Sequence, residues 1–176
     1  MKKILILGII ILFSLSLLSC DSWMTTTQTF TYEIDDIAST DQDVEMYSLD
    51  LTTNEDYAEH RDQIRSVDQV SIVGRITNNL ETEASAQIWA DTSDAYTTVE
   101  GVTNNATLIF ATPMPLPGGS ITSIDWSDGL EYMENTDYLN DLIINEGQFA
   151  LYGLAADTPF DITIEAEVVI TVTVGR

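Results

Sequence analysis

The sequence predicts a mainly β protein, a single antiparallel β-sandwich of the immunoglobulin-like type with seven to eight strands. Short apolar alternations of period two, separated by turn residues, recur along most of the chain. The most regular of them is 162–174, where seven apolar side chains fall on one face and mainly Asp, Glu and Thr fall on the other. Two segments with helical spacing are expected as short connecting helices, and a signal-peptide helix precedes the domain.

The first twenty residues have the order of a secretory signal peptide. Lys2 and Lys3 form a positive head, and residues 4–18 form an apolar run broken only by a glycine and two serines. As a helix this run would be about 22 Å long, shorter than the roughly 30 Å hydrocarbon core of a bilayer. A cleaved signal is therefore favoured over a permanent transmembrane span.

The run closes with Leu17-Leu18-Ser19-Cys20, which resembles a bacterial lipobox. In that motif the cysteine is lipidated and becomes the first residue of the mature protein. The expected organisation is a signal peptide at 1–19, the lipidated Cys20 with a tether at 20–29, and the sandwich domain at 30–176. The alternative is an ordinary cleaved signal with an incidental cysteine.

The net charge of the mature chain limits the classes of partner that it can bind. Both lysines lie in the signal, so the mature chain has four arginines against 29 acidic residues, a formal charge of −25. Nucleic acid is excluded as a partner, because phosphate binding needs clustered basic side chains. Anionic headgroups would also repel the domain, which leaves the lipid on Cys20 as the means of membrane attachment. The acidity favours solubility through self-repulsion, and a surface bridged by calcium is the alternative.

The strands are expected in this order. Phe30, Tyr32 and Ile34 begin the first, and residues 44–51 form the second, with a bulge near 47–48. Later strands are expected at 70–76, 84–90, 106–110, 121–126, 149–154 and 162–174, and 91–105 is a polar stretch with a short edge strand. Prolines and glycines at 113–119 end one of these strands.

Two helices are expected between strands. The first spans 54–67, with Thr52 or Thr53 as its cap and with Tyr57, Ile64 and Val67 on one face. The second spans 136–146 and ends at Gly147. Ser127-Asp128-Gly129 is expected as a turn.

Metal and ligand candidates are weak. Asp41, Asp43 and Glu45 begin like an oxygen-ligand calcium loop, but the EF-hand glycine and glutamate positions hold Met46 and Thr52. No cofactor is expected, and a structural calcium ion held by a loop of another type is the alternative. Trp89 is the one aromatic residue that the alternation places on a polar strand face, where it is a candidate for stacking against a sugar ring. A tryptophan that packs under a loop is the plainer interpretation.

Catalytic constellations are missing from the sequence. His60 is the only histidine and Cys20 the only cysteine, so neither a serine triad nor a thiol nucleophile has its usual companions. A pair such as Glu165 and Glu167 suggests glycosidase-type chemistry, but no apolar pocket that would raise one pKa is evident. The chain is therefore not expected to be an enzyme.

Several stretches together resemble small uncharacterised lipoproteins of Bacteroidota- and Chlorobi-type bacteria. They are the lipobox followed by residues 25–32 (TTTQTFTY), then 49–67, 70–78 and 141–160. The resemblance implies a β-sandwich lipoprotein and transfers no functional residues. Where such proteins carry lysines after the acidic helix cap, this chain has Arg61, Gln63 and Arg65.

The function expected is that of a lipid-anchored, non-enzymatic module of the cell envelope with a structural or binding role. Its partner would be an envelope protein or a glycan, and the anchor would lie in the outer membrane, facing the periplasm or the cell surface. Asp21 after Cys20 makes the inner membrane the alternative location. The alternatives in function are a carbohydrate- or calcium-binding surface protein and, less favoured, a secreted hydrolase.

Overall fold

Eight antiparallel strands form two packed sheets in the computed structural model, which describes residues 25–38, 44–155 and 161–175. The strands are β1 (Thr25–Ala38), β2 (Glu45–Asp50), β3 (Ile64–Asn78), β4 (Ala86–Asp91), β5 (Thr107–Ala111), β6 (Ile121–Ile124), β7 (Gln148–Ala155) and β8 (Ile162–Gly175). Sheet A has the order β1-β8-β3-β6, and sheet B has the order β2-β7-β4-β5. The predicted β-sandwich with seven to eight strands is confirmed.

The connectivity is that of a jelly roll. Successive strands alternate between the two sheets, and only β4 and β5 follow each other within one sheet. In an immunoglobulin fold the first two strands are neighbours in the same sheet. Here β1 and β2 belong to different sheets, so the immunoglobulin-like arrangement expected from the sequence is replaced by the jelly-roll order.

The main core lies between the sheets and is built by period-two alternation. All seven even-numbered residues of β8 from Ile162 to Val174 point inward and are buried, as the sequence predicts. Phe30 on β1 meets Tyr57 edge-on, with ring centroids 5.7 Å apart. The hydroxyls of Tyr57 and Tyr32 donate to the carbonyl oxygens of Ile143 and Leu51, and burial raises the pKa of both tyrosines.

The first predicted helix is too long. Helix α1 covers only Glu55–His60, flanked by single 3-10 turns at Leu51–Thr53 and Arg61–Gln63, and Asn54 caps it rather than a threonine. Ile64 and Val67 lie in β3 instead. Two bulges in β3 opposite β8, between Ile64 and Ser66 and between Val67 and Gln69, each insert one residue. They convert a spacing of two into a spacing of three, which imitates a helix.

Three further helices are present in the described ranges: α2 (Val99–Asn105), α3 (Trp126–Tyr132) and α4 (Thr136–Asp141). Helix α4 continues as a π-helical turn, Leu142–Glu146, and ends at Gly147, so the second predicted helix is confirmed. The edge strand expected within 91–105 is wrong, because Thr98 caps α2 there. The turn expected at 127–129 is also wrong, because Asp125 and Asp128 form a capping box that starts α3.

Sheet B carries a second, smaller core on its outer face. Val102 of α2 and the outward side chains of β7 form it, together with Val44. Tyr152 is fully buried there, and its hydroxyl donates to the carbonyl oxygen of Ser93. Because apolar residues are buried on both faces of sheet B, residues 44–51 contain two interleaved apolar sets. The bulge expected near 47–48 is therefore wrong, and β2 pairs with β7 in unbroken register.

Candidate binding surface

The outer face of sheet A is an exposed, hydroxyl-rich surface on the side of β1. Strand β1 places Thr25, Thr27, Thr29 and Thr31 on this face, because the inward positions hold Phe30, Tyr32 and Ile34. On β8 the adjacent positions are Thr171 and Thr173. The hydroxyl oxygens of Thr29 and Thr171 lie 3.3 Å apart in a hydrogen bond. We call this surface the threonine face.

The threonine face begins earlier than the sequence predicts. Residues 25–29 were expected within a tether, but β1 starts at Thr25 and pairs it with Gly175. The alternation of threonine with polar residues before Phe30 has the period of a strand, and β-branched threonine favours one. That signal was present in the sequence and was missed.

One end of this face is charged. Glu33, Arg75, Glu165 and Glu167 surround an open depression of about 590 Å³. Arg75 forms an ion pair with Glu165, whereas Glu33 lies directly opposite Glu167 in the β1–β8 register. Like charges at facing positions destabilise a sheet, so Glu33 lacks a favourable cross-strand partner on β8.

These carboxylates do not resemble a hydrolytic pair. Glu33, Glu165 and Glu167 are all exposed on the sheet surface. An acid catalyst of the glycosidase type needs a carboxyl whose pKa is raised by an apolar pocket. The depression is open to solvent and provides no such pocket.

The opposite end of the same face carries a positive charge. A Cβ atom added at Gly175 would lie 3.2 Å from the Thr25 methyl and 3.5 to 3.6 Å from Cγ and Nε of Arg65. The exposed Arg65 side chain therefore lies across β8 at the Thr25 end of β1. Arg75–Glu165 is the only ion pair among the described residues, so Arg65 has no acidic partner within them.

The free edge of β1 presents unpaired peptide groups. The Tyr47 hydroxyl donates to the Glu33 carbonyl oxygen at 3.3 Å, which shows that this carbonyl points away from β8. Residues of an antiparallel strand turn both their amide and carbonyl groups to alternate sides. The β1–β8 register is regular from Thr25 to Ile34, so Thr27, Thr29 and Thr31 also face the free edge.

The cleft between β1 and β2 lies where the edges of the two sheets meet. It has a volume of about 390 Å³ and includes Tyr32, Tyr47 and Asp50 in its lining. Hydrogen bonds from the Thr52 hydroxyl and the Gln148 amide hold the pKa of Asp50 below its usual range. Asp50 is thus fixed by its neighbours and serves to join the end of β2 to the start of β7.

The Trp89 side chain is not fully exposed on the outer face of sheet B. It is half-buried and packs against the second core, beside Tyr96 and Tyr152. Its indole Nε1 donates to Oε1 of Gln87 at 3.2 Å. The segment 92–106 covers this face, so one side of the ring is used in packing and the plainer interpretation of Trp89 is favoured.

The structure describes only some of the remaining candidate residues. Asp41, Asp43 and Cys20 lie outside the described residues, and Glu45 begins β2 opposite Gly153. Within residues 25–38, 44–155 and 161–175, no group of three or more acidic, histidine or cysteine side chains has the geometry to hold a metal ion.

The same ranges contain no helix that is both long and apolar enough to cross a membrane. The single histidine, His60, ends α1, where its Nδ1 donates to the Asp56 carbonyl oxygen at 2.8 Å.

No protein-family model and no curated protein sequence matches the chain. Solved structures of two plant viruses are similar to it. One chain of turnip yellow mosaic virus is 15% identical, with 87% of this chain and 94% of that chain covered and a TM-score of 0.39. A chain of Desmodium yellow mottle tymovirus is 11% identical, with 86% and 81% covered and a TM-score of 0.41. At these identities and TM-scores the similarity has no bearing on function.

Proposed function

We propose that this protein is a lipid-anchored, non-enzymatic module of the cell envelope that binds a partner through sheet A. The observation that carries the anchor is the sequence signal that ends in Leu17-Leu18-Ser19-Cys20. The only cysteine of the chain stands at the position where a lipobox needs it. With 29 acidic residues, the mature domain has no electrostatic attraction to anionic lipids, so a covalent lipid supplies the attachment.

The fold supports a position close to the membrane. Strand β1 begins at Thr25, so four residues separate Cys20 from the folded domain. Five residue steps span about 17 Å at full extension. The threonine face and the free edge of β1 therefore start next to the anchor, within reach of other proteins on the same membrane.

The binding role is supported by what sheet A leaves open. The outer face of β1 is exposed from Thr25 to Glu33 and its edge is free from Thr25 to Thr31, whereas α3 packs on the outer face of β3 and α2 covers the outer face of sheet B. Binding at such a surface would use hydroxyls and main-chain groups and would need no catalytic residues. The outer membrane is the proposed location, on either its periplasmic or its outer face, with the inner membrane as the alternative.

The anchor is tested by metabolic labelling with an alkyne fatty acid in a bacterial host. The wild-type chain should incorporate the label, and Cys20→Ala should lose it completely, because no other thiol is present. Ser19→Ala is the matched control, since it keeps a small residue before the cysteine and should retain the label. Unchanged labelling of Cys20→Ala, or an unlabelled wild-type chain, would contradict the lipid anchor.

A further inference from the structure

The four edge strands of the sandwich are not protected equally. Strand β5 is covered, since Met133 bridges Phe110, the Glu134 amide donates to the Ile109 carbonyl oxygen at 2.8 Å, and Asn135 Nδ2 donates to that of Leu108 at 2.8 Å. Strand β6 has only four residues and is followed at once by α3. Strand β2 has six residues, with Glu45 and Asp50 at its two ends.

Strand β1 has none of these protections over its first eight residues. It is 14 residues long, and β8 is its only strand partner within the described part of the chain. Natural edge strands avoid edge-to-edge pairing by being short, by carrying charge or proline, or by bulging. Residues 25–32 contain no charge and no proline, and the bulge of β1 comes only after Ile34. The edge-facing peptide groups of Thr27, Thr29 and Thr31 are thus available to another strand.

We propose that β1 pairs antiparallel with β1 of a second copy of this chain, about a twofold axis at Thr29. Thr29 is the midpoint of the free edge between Thr25 and Glu33. In this register Thr29 faces itself, Thr27 faces Thr31 of the second copy, and Thr25 faces Glu33 of the second copy. The two four-stranded sheets become one continuous sheet of eight strands, an isologous interface.

Charge complementarity selects a second copy as the occupant. Each chain carries Arg65 at the Thr25 end of the face and Glu33 at the other end. Antiparallel pairing brings Glu33 of one copy to the end where Arg65 of the other lies without an acidic partner among the described residues, and the twofold axis repeats this contact. Thr–Thr pairs between the charges are favourable across strands. The interface therefore avoids contact between like charges although each chain has a strongly negative charge.

The pairing goes beyond the proposed binding role and does not depend on the lipid. Two copies that share a membrane would meet more often than two copies in solution, which favours association through an edge of modest size. The main-chain hydrogen bonds would provide the affinity, and the two Arg65–Glu33 contacts would fix the register.

Cysteine cross-linking of the full chain tests the register. Thr29→Cys should give a disulfide-linked dimer under mild oxidation, because facing residues of a hydrogen-bonded antiparallel pair have Cα atoms about 5.5 Å apart, within disulfide range. Thr173→Cys is the matched control on the same face. Its copies would be separated by three strand spacings across the sheet and by four residues along the strands, about 20 Å in all, and should stay monomeric. The wild-type chain reports any cross-link through Cys20, so failure of the lipid anchor is seen separately.

Charge reversal tests the choice of partner. Arg65→Glu in the Thr29→Cys background should reduce the fraction of dimer by about tenfold, because two exposed ion pairs are replaced by like charges. Adding Glu33→Arg should restore the dimer. The proposal is overturned if Thr29→Cys forms no more dimer than Thr173→Cys, if the double reversal is no better than the single one, or if Thr29→Cys is linked only to a different protein.

Discussion

Replacing Asn78 with alanine is expected to lower the free energy of unfolding by about 3 kcal/mol. Asn78 ends β3 on its inner face and is fully buried. Its Nδ2 donates to the carbonyl oxygens of Thr82 and Leu116 at 2.9 Å and of Pro117 at 3.3 Å, and its Oδ1 accepts from the Leu80 amide at 3.0 Å. One side chain thus joins the loop after β3 to the proline-rich loop before β6. Alanine would remove all of these bonds from the buried site and would leave the Leu80 amide and the Thr82 carbonyl oxygen without their side-chain partner, while the carbonyl oxygens of Leu116 and Pro117 keep bonds from Ala84 and Ser120.

The neighbouring asparagine provides the control. Asn79 is exposed, and its Nδ2 donates to side chains of Asp161 and Thr163. Asn79→Ala should change stability by no more than about 0.5 kcal/mol, because water can replace these bonds. Urea unfolding followed by circular dichroism would measure both variants. Equal effects at the two positions would contradict the role assigned to Asn78.

Asn78→Asp is expected to be more damaging than alanine at neutral pH. It keeps the shape of the side chain but replaces the amide donor with a carboxylate that faces three carbonyl oxygens. The folded state would favour the protonated carboxyl, so its pKa would be raised and stability would fall as pH rises above the unfolded value of about 4. Unfolding of this variant at pH 4 and pH 7 should therefore differ by more than that of the wild type.

Gly129→Ala is the second substitution with a large expected effect, a loss of about 2 to 3 kcal/mol. Helix α3 lies directly on β3, where the Ser71 hydroxyl donates to the Trp126 carbonyl oxygen at 3.2 Å. A Cβ atom on Gly129 would overlap the Ser71 hydroxyl and the Ile72 carbonyl oxygen. Since one of these atoms belongs to the backbone of a central strand, the helix would have to move away from the sheet.

A second helical glycine is the matched control for Gly129. Gly101 lies in α2, and the nearest atom to an added Cβ is the Thr98 hydroxyl oxygen at 3.1 Å, the cap atom that accepts from the Gly101 amide and no part of a strand backbone. The helix propensity of alanine offsets that tight contact, so Gly101→Ala should be close to neutral. Thermal unfolding of both variants would measure the difference. A Gly129→Ala variant as stable as Gly101→Ala would show that α3 does not pack as described.

The sequence predicts best the elements in which one face alone is buried. The apolar residues of strand β8 alternate regularly because only its inner face lies in the core, whereas its outward positions hold mainly Glu and Thr. Strand β3 is only half recognised, since its two bulges change the spacing of buried side chains at Ile64, Val67 and Val70 from two to three. Pairing with β8 makes this segment part of a strand, and the local periodicity of the sequence does not reveal that pairing.

Two features of the surface required the tertiary structure. The second core explains why Trp89 looked like an exposed aromatic residue on a polar strand: the segment that covers it follows later in the chain, at 92–106. The jelly-roll order determines which strands lie at the edges, and alternation gives no information about strand order. The free edge of β1 and the separation of Arg65 from Glu33 therefore became visible only once the sheets were assembled.

The most direct test of the lipid anchor is the intact mass of the protein purified from membranes in detergent. A lipid-anchored protein should give a chain of 157 residues that begins at Cys20 and carries the additional mass of a thioether-linked diacylglycerol, with a third acyl chain where the host adds one to the amino group. Digestion should place all of this mass on the peptide that contains Cys20. A chain that retains residues 1–19, or one that begins elsewhere with an unmodified cysteine, would contradict the lipid-anchored domain proposed here.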